Sequence, residues 1–574
     1  MVRTINMTCQ EKILSDDFGD VIIDFHNPLE IREESSDYCF TRVNTRFGVG
    51  YAPQSEIAGL EGALYVNHYL PKVFGLMQEY FDPISLISTG ILQAQRPFLS
   101  LDGRGVVIAF VDTGIRYDQR EFLNAAGNSR VLAIWDQTVQ TGTPPEGYEY
   151  GTLFTRDDIN RALNTENPYE VVNSYDDNGH GTAMASIAAG SVVDSGRTFR
   201  GAAPETDIVV VKLKEAKKNL RDYYLISEDV PAYAESDIML GVKFAESFAV
   251  TFQRPVVICL GLGTNFGNHI VGSSLAQYLD DLATLRSRAI VLCGGNEGNS
   301  AHHYSGSVPR GGTEGQELYT DVEIRVGEGE SGFMLEMWGS APDVLYASIR
   351  TPGGETIPRF QLGMGQSLTH SFIYENTRVS IDSILVESTS GDELIVFRFV
   401  DPTPGVWMIR VYAAQGSGSG VFHMWLPITQ FLDSTTYFLN PSPYVTLTDP
   451  GIAFRPITVS VFNDVNDSFY VNSGRGFLRN GLVKPDLAAP GVNMATSVGI
   501  RTGSSLAAAI TAGGVAQYFQ WAVVQRNDLL AETQEIKSYF IRGATRSPDL
   551  DYPNREWGYG RLNVTGAFDA LAGV

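Results

Sequence analysis

The stretch "GVVIAFVD", residues 105–112, is a continuous apolar, β-branched run that ends on a carboxylate. Such a run describes a strand buried on both faces, the environment of a parallel sheet. The segments after it repeat the theme. "HGTAMASIAAGS" (180–191) sets small residues at helical spacing, "TDIVVVKL" (206–213) is a second buried strand, and "DIMLGVKFAESFAV" (237–250) reads as a helix. "PVVICLGLG" (255–263), "SSLAQYLDDLATLRSRA" (273–289) and "AIVLCGGNEG" (289–298) continue as strand, helix and strand. This alternation predicts βαβ units and a parallel α/β sheet with helices on both faces. The crevice of such a fold lies at the carboxyl ends of its strands.

The style changes over 310–445. Short aromatic and β-branched runs such as "LYTDVEIRV", "SGFMLEMWG", "ELIVFRFV" and "GVWMIRVYAA" alternate with Gly, Pro and Asp clusters. They predict an all-β sandwich or jelly roll inserted in the α/β domain, which resumes at "RPITVSVFND" (455–464) and runs to the end. The first hundred residues read as a small α+β unit, with strands at "DVIIDF", "YCFTRVN", "FGVGYAP" and "ALYVNHY" and a short helix at "QSEIAGLEG".

Bulk composition narrows the function. The 574 residues exceed one ordinary core and imply several domains. A net charge of −24 without a basic cluster disfavours nucleic acid and anionic lipid as partners. No apolar run is long enough for a membrane span, and "MVRTINMTCQ" lacks the apolar core of a secretory signal. Cys9, Cys39, Cys259 and Cys293 show no CxxC or zinc-ligand spacing, and the last two sit in apolar runs as buried thiols. The expectation is a chain made in a reducing compartment, the cytoplasm.

Three residues stand at element ends where chemistry is done. Asp112 closes the strand 105–112 and points toward the crevice, although a turn cap is the ordinary role there. His180 stands between two glycines at a helix start, where a structural histidine is the bland alternative. In "RTGSSLAAAITAG" (501–513), two serines open a long helix, whose N-terminus favours developing negative charge. Either serine could equally be a helix cap. A serine nucleophile needs a base, and His180 with Asp112 behind it would supply one. The chain order Asp…His…Ser is one of the known orders of that triad.

"VDTGI", "GHGTAMASIAAG", "GGNEGN" and "TGSSLAAAITAG" resemble, in order, the four signature blocks of the subtilisin-like serine proteases. The resemblance implies Ser505 as nucleophile, with Ser504 in place of the family's threonine, Leu506 in place of methionine and Ala509 where proline is common. It implies Asn296 as oxyanion-hole donor, and Gly261, Leu262 and Gly263 as a substrate-binding edge. The inserted β region and the N-terminal unit resemble the Csp germination proteases of spore-forming clostridia. That branch implies a seven-stranded parallel sheet and a prodomain (1–75) that is cut by its own active site and retained as an inhibitor. The remaining parts would be a catalytic domain in two pieces (76–309 and 446–574) and a jelly roll (310–445). Processing is expected within 70–80, near Phe74 or Gly75, in a tail that follows the strand at 63–69. The substrate would be the zymogen of a spore-cortex hydrolase and the location the spore, with no cofactor or metal. His302 and His303 read as a solvated loop rather than a metal pair. The competing account is a silent or permanently inhibited scaffold with a protease fold.

Overall fold

The computed structural model describes residues 7–25, 39–57, 70–77, 86–191, 201–309, 318–363, 366–414 and 418–573. The strand expected over 63–69 lies outside these residues.

The run 105–112 forms the strand Val107–Asp112 at the middle of a nine-stranded sheet. Its parallel neighbours are Val256–Leu260 and Asp207–Lys212. Beyond them the parallel order continues through Arg288–Cys293, Ile457–Asn463 and Leu487–Pro490 on one side and Val131–Asp136 on the other. Those seven strands are the expected parallel set, and the antiparallel Thr152–Thr155 and Ser468–Phe469 extend it. Alternation within the central strand explains the unbroken apolar run. Ile108 and Phe110 enter the core under the helices His180–Ala189 and Ser504–Phe519, while Val107, Ala109 and Val111 enter the core under Glu235–Thr251 and Ser274–Leu282. A strand covered on both faces has no side that polar residues can occupy.

The inserted region is two antiparallel sheets of six and five strands. Along Tyr319–Val326, Val322, Ile324 and Val326 point inward with Trp407 and Phe333, so this strand has the period of a sandwich face. The sandwich begins earlier than 310, because His303–Ser307 pairs with Val421–Trp425. It ends at Tyr437–Phe438, which pairs with 324–325.

Among the described residues, the N-terminal unit holds a three-stranded antiparallel sheet of Phe18–Asp24, Phe47–Pro53 and Cys39–Arg42. Ile22, Phe47, Val49 and Tyr51 join the core beneath Glu235–Thr251. Buried Asp20 accepts a hydrogen bond from the Ser236 hydroxyl at 2.7 Å and pairs with Lys217 at 2.8 Å.

Two expectations need correction. Cys9 and Cys39 are joined in a disulfide, so the reading of four reduced thiols fails for this pair. Their partnership depends on the small helix Cys9–Leu14 meeting the strand Cys39–Arg42, which spacing does not show. Cys259 and Cys293 are free and buried as expected, and burial pushes the Cys293 thiol up to about 12. His302 and His303 are not solvated: they are 5% and 1% exposed. His302 bonds to Glu297 at 2.9 Å, and His303 stacks on Trp425 and His423 under the sandwich. Burial holds the His303 ring down near 3, so it is neutral. Among the described residues no group of three or more His, Cys, Asp or Glu could hold a metal, and no helix is long and apolar enough to cross a membrane.

Candidate active site

Asp112 is the last residue of the central strand and His180 the first of its helix, and folding brings the two together. His180 Nδ1 donates to Asp112 Oδ1 at 2.7 Å, with both side chains 1% exposed. A carboxylate only accepts, so Nδ1 carries the proton, and in the neutral ring this is the tautomer that leaves Nε2 as a general base. Nε2 is buried with no other partner among the described residues.

A residue absent from the sequence reading builds this junction. Asp176 is fully buried and accepts hydrogen bonds from Gly179 N–H at 2.8 Å, Thr182 N–H at 2.9 Å and the Thr113 hydroxyl at 2.8 Å. It ties the strand end to the first turn of the histidine helix, where a carboxylate is favoured by the helix dipole. An acidic residue four positions before a helix-opening histidine was the available signal.

Ser505 is the second residue of the helix Ser504–Phe519, and 1% exposed. Gly261 stands between it and the base. A Cβ built there would lie 2.8 Å from Ser505 Cβ, 2.9 Å from His180 Cε1 and 2.5 Å from Met184 Sδ. Only glycine lets the three meet. Gly261 also ends the strand Val256–Leu260, so the single strand expected over 255–263 is split and Leu262–Gly263 turns to the cleft. Asn296 lies beside the serines. Its side-chain oxygen accepts Ser504 N–H at 3.1 Å, which leaves the amide NH₂ as its donor.

The cleft is occupied by the chain's own tail. Leu76 and Gly75 pair antiparallel with Leu262 and Gly263, and Met77 N–H donates to Gly261 O at 3.2 Å. On the other side Val73 and Phe74 pair with Ala234 and Tyr233, a second edge that sequence reading missed. A two-residue strand before a helix carries no periodic signal. The segment Ile428–Phe431, between the sandwich strands Val421–Trp425 and Tyr437–Phe438, covers the tail, and the Gln430 amide donates to Leu76 O. A Cβ on Gly75 would lie 2.4 Å from Ile428 Cδ1 and 3.0 Å from Gln430 Oε1.

The carbonyl that meets Ser505 lies within the expected 70–80 and downstream of Phe74 and Gly75. The Ser505 hydroxyl donates to the carbonyl of Met77 at 2.9 Å, while Phe74 and Gly75 lie upstream in the paired strand. The register against Leu262–Gly263 sets this offset, and side-chain identity in the tail does not encode it.

Residues 103–320 match the subtilase family. Among solved structures, the CspB protease of Clostridium perfringens aligns at 29% identity over 84% of this chain and 96% of that one, with a TM-score of 0.74. Fervidolysin from Fervidobacterium pennivorans aligns at 12% identity over 96% and 61%, with a TM-score of 0.46. MycP1 from Mycobacterium smegmatis aligns at 13% over 86% and 90%, with a TM-score of 0.36. No curated protein matches.

Proposed function

We propose that this chain, which matches the subtilase family over residues 103–320, is a serine endopeptidase that cuts its own bond after Met77. The observation that carries this is a peptide carbonyl at the hydroxyl of Ser505, 2.9 Å away, beside a histidine already held by a carboxylate. The Ser505 hydroxyl turns its proton from the Met77 oxygen to His180 Nε2, and Oγ adds to the Met77 carbonyl carbon as that proton passes to the ring. Asp112 stabilises the imidazolium. The new oxyanion is met by the Asn296 amide and by the backbone N–H of Ser505 at the helix start. His180 then gives the proton to the departing nitrogen of Gln78. Water, activated by the same histidine, cleaves the ester and frees the Met77 carboxylate. Intact mass of the purified chain tests this directly.

Asn296→Ala removes one oxyanion donor. Self-cleavage is expected to slow by roughly 10²–10³-fold, read from a time course of refolded protein. A change smaller than threefold would remove Asn296 from the mechanism.

After cleavage the N-terminal fragment stays bound as an inhibitor, held by strand addition on both sides, by the Gln430 strap and by the Asp20 network. Gly75→Val should loosen it about tenfold or more, since overpacking costs about 1–3 kcal/mol. The measurement is the dissociation constant of the fragment from the catalytic part. Unchanged retention would mean that the strap yields freely.

As substrate we propose the zymogen of a spore-cortex hydrolase during germination, which the resemblance of the sequence to the Csp proteases implies. Incubating such a zymogen with wild-type and Ser505→Ala protein tests it.

A further inference from the structure

We propose that the cleft contains a subsite, six residues back from the cleaved bond, that selects a lysine or arginine side chain of the substrate. This rests on the peptidase reading above, and it concerns a cavity at the meeting point of the tail, the catalytic domain and the sandwich.

Lys72 is the sixth residue back from the bond after Met77, and its backbone continues the paired strand. Its N–H donates to Glu235 Oε2 at 3.0 Å and its carbonyl accepts Glu235 N–H at 2.9 Å. The side chain runs into a cavity of about 50 Å³ lined by Leu70, Tyr224, Glu336, Trp338 and Glu387. Nζ donates to Phe266 O at 3.2 Å and lies 3.8 Å from Asp449 Oδ2. Four carboxylates, on Glu235, Glu336, Glu387 and Asp449, raise the Lys72 ammonium above its usual range although burial opposes it.

Each of the four carboxylates is also held by groups outside the tail. Asp449 is held by Ser273 N–H and the Ser273 hydroxyl, both at 2.6 Å. Glu336 accepts Gly267 N–H at 2.8 Å and Trp338 Nε1–H at 2.9 Å. Glu387 accepts the Ser390 hydroxyl at 2.8 Å, and Glu235 Oε1 accepts Leu275 N–H at 2.8 Å. All four are 4% exposed or less. The nearby Arg479 is engaged by Asp392 at 2.8 Å and does not replace the lysine.

A site with four buried carboxylates and one removable cation discriminates strongly. When the tail leaves, Asp449, Glu235 and Glu336 lose the ammonium's counter-charge, and an apolar or acidic side chain in that place does not restore it. The space beside the ammonium admits a guanidinium. Two of the carboxylates and Trp338 belong to the sandwich, so the insert takes part in substrate choice.

The test is a competition digest with the self-processed wild-type protein. Its peptides span residues 70–81 and carry Lys, Arg, norleucine or Glu at position 72. Ratios within one mixture do not depend on how much enzyme is still inhibited. Lys should exceed norleucine at least tenfold in kcat/KM, Glu should be cut least, and Arg should fall within threefold of Lys. Glu336→Gln, which keeps an acceptor for Gly267 and Trp338, should shrink the Lys preference. Equal cutting of all four peptides overturns the subsite and leaves the peptidase reading intact. If the chain has parted from itself yet cuts no peptide, the same ratios are read from self-cleavage of Lys72→Met and Lys72→Arg. Their folding is checked by melting in the Ser505→Ala background. Self-cleavage equal to wild type in both overturns the subsite. A wild-type chain that neither parts nor cuts sinks the peptidase reading, and the subsite with it.

Discussion

Under denaturing conditions, the wild-type chain is expected as two species parted between Met77 and Gln78, and Ser505→Ala as one species of 574 residues. The reason is geometric and chemical. The Ser505 hydroxyl donates to the Met77 carbonyl at 2.9 Å, and alanine leaves that carbonyl with no attacking atom. Deleting the nucleophile of such a triad costs on the order of a millionfold in kcat, which turns processing during purification into no detectable processing. Alanine at a buried N-terminal helix position keeps the fold, so the melting transition of Ser505→Ala should remain cooperative. A wild-type break near Phe74 or Gly75 would mean that the tail shifts register before it is cut. If both proteins stay whole, the scaffold reading takes the lead.

Asp112→Asn should leave the structure in place and slow self-cleavage by about 10⁴-fold. The native carboxylate accepts the His180 Nδ1 proton at 2.7 Å, so that in the neutral ring Nε2 is the nitrogen with the lone pair. Asparagine is the same size, but its NH₂ facing the ring demands the opposite tautomer, with the proton on the nitrogen that must accept the serine proton. The variant should melt near wild type and refold as the intact chain, then part only over long incubation. The rate constant at neutral pH is the readout. A loss below tenfold would show that Asp112 does not orient His180.

Much of the site was legible because its signals are local. Asp112, His180 and Ser505 each sit at an element end, marked by an apolar run that stops or a small-residue helix that starts. The structure brings Asp112 and His180 into contact and puts Ser505 across Gly261 from the base. Asn296 was found through its block, and its contact with Ser504 N–H places it beside the same helix start. Asp176 was overlooked because its hydrogen bonds are spread over two elements.

The resemblance to the subtilisin-like proteases implied the count of seven parallel strands and the choice of Ser505 over Ser504. Sequence alone determined the alternation of strand and helix, the interruption by a β region and the element ends able to do chemistry. These follow from periodicity and chain-end effects acting within a few turns of backbone. Tertiary structure decided which carbonyl meets Ser505, that Tyr233–Ala234 forms a second edge, and that Gln430 straps the tail. It also decided that His302 and His303 are buried, that Cys9 meets Cys39, and that four carboxylates gather around Lys72. Each of these is a register or a docking between segments distant in the chain. Their energies are sums over whole surfaces, and no short stretch of residues encodes such a sum.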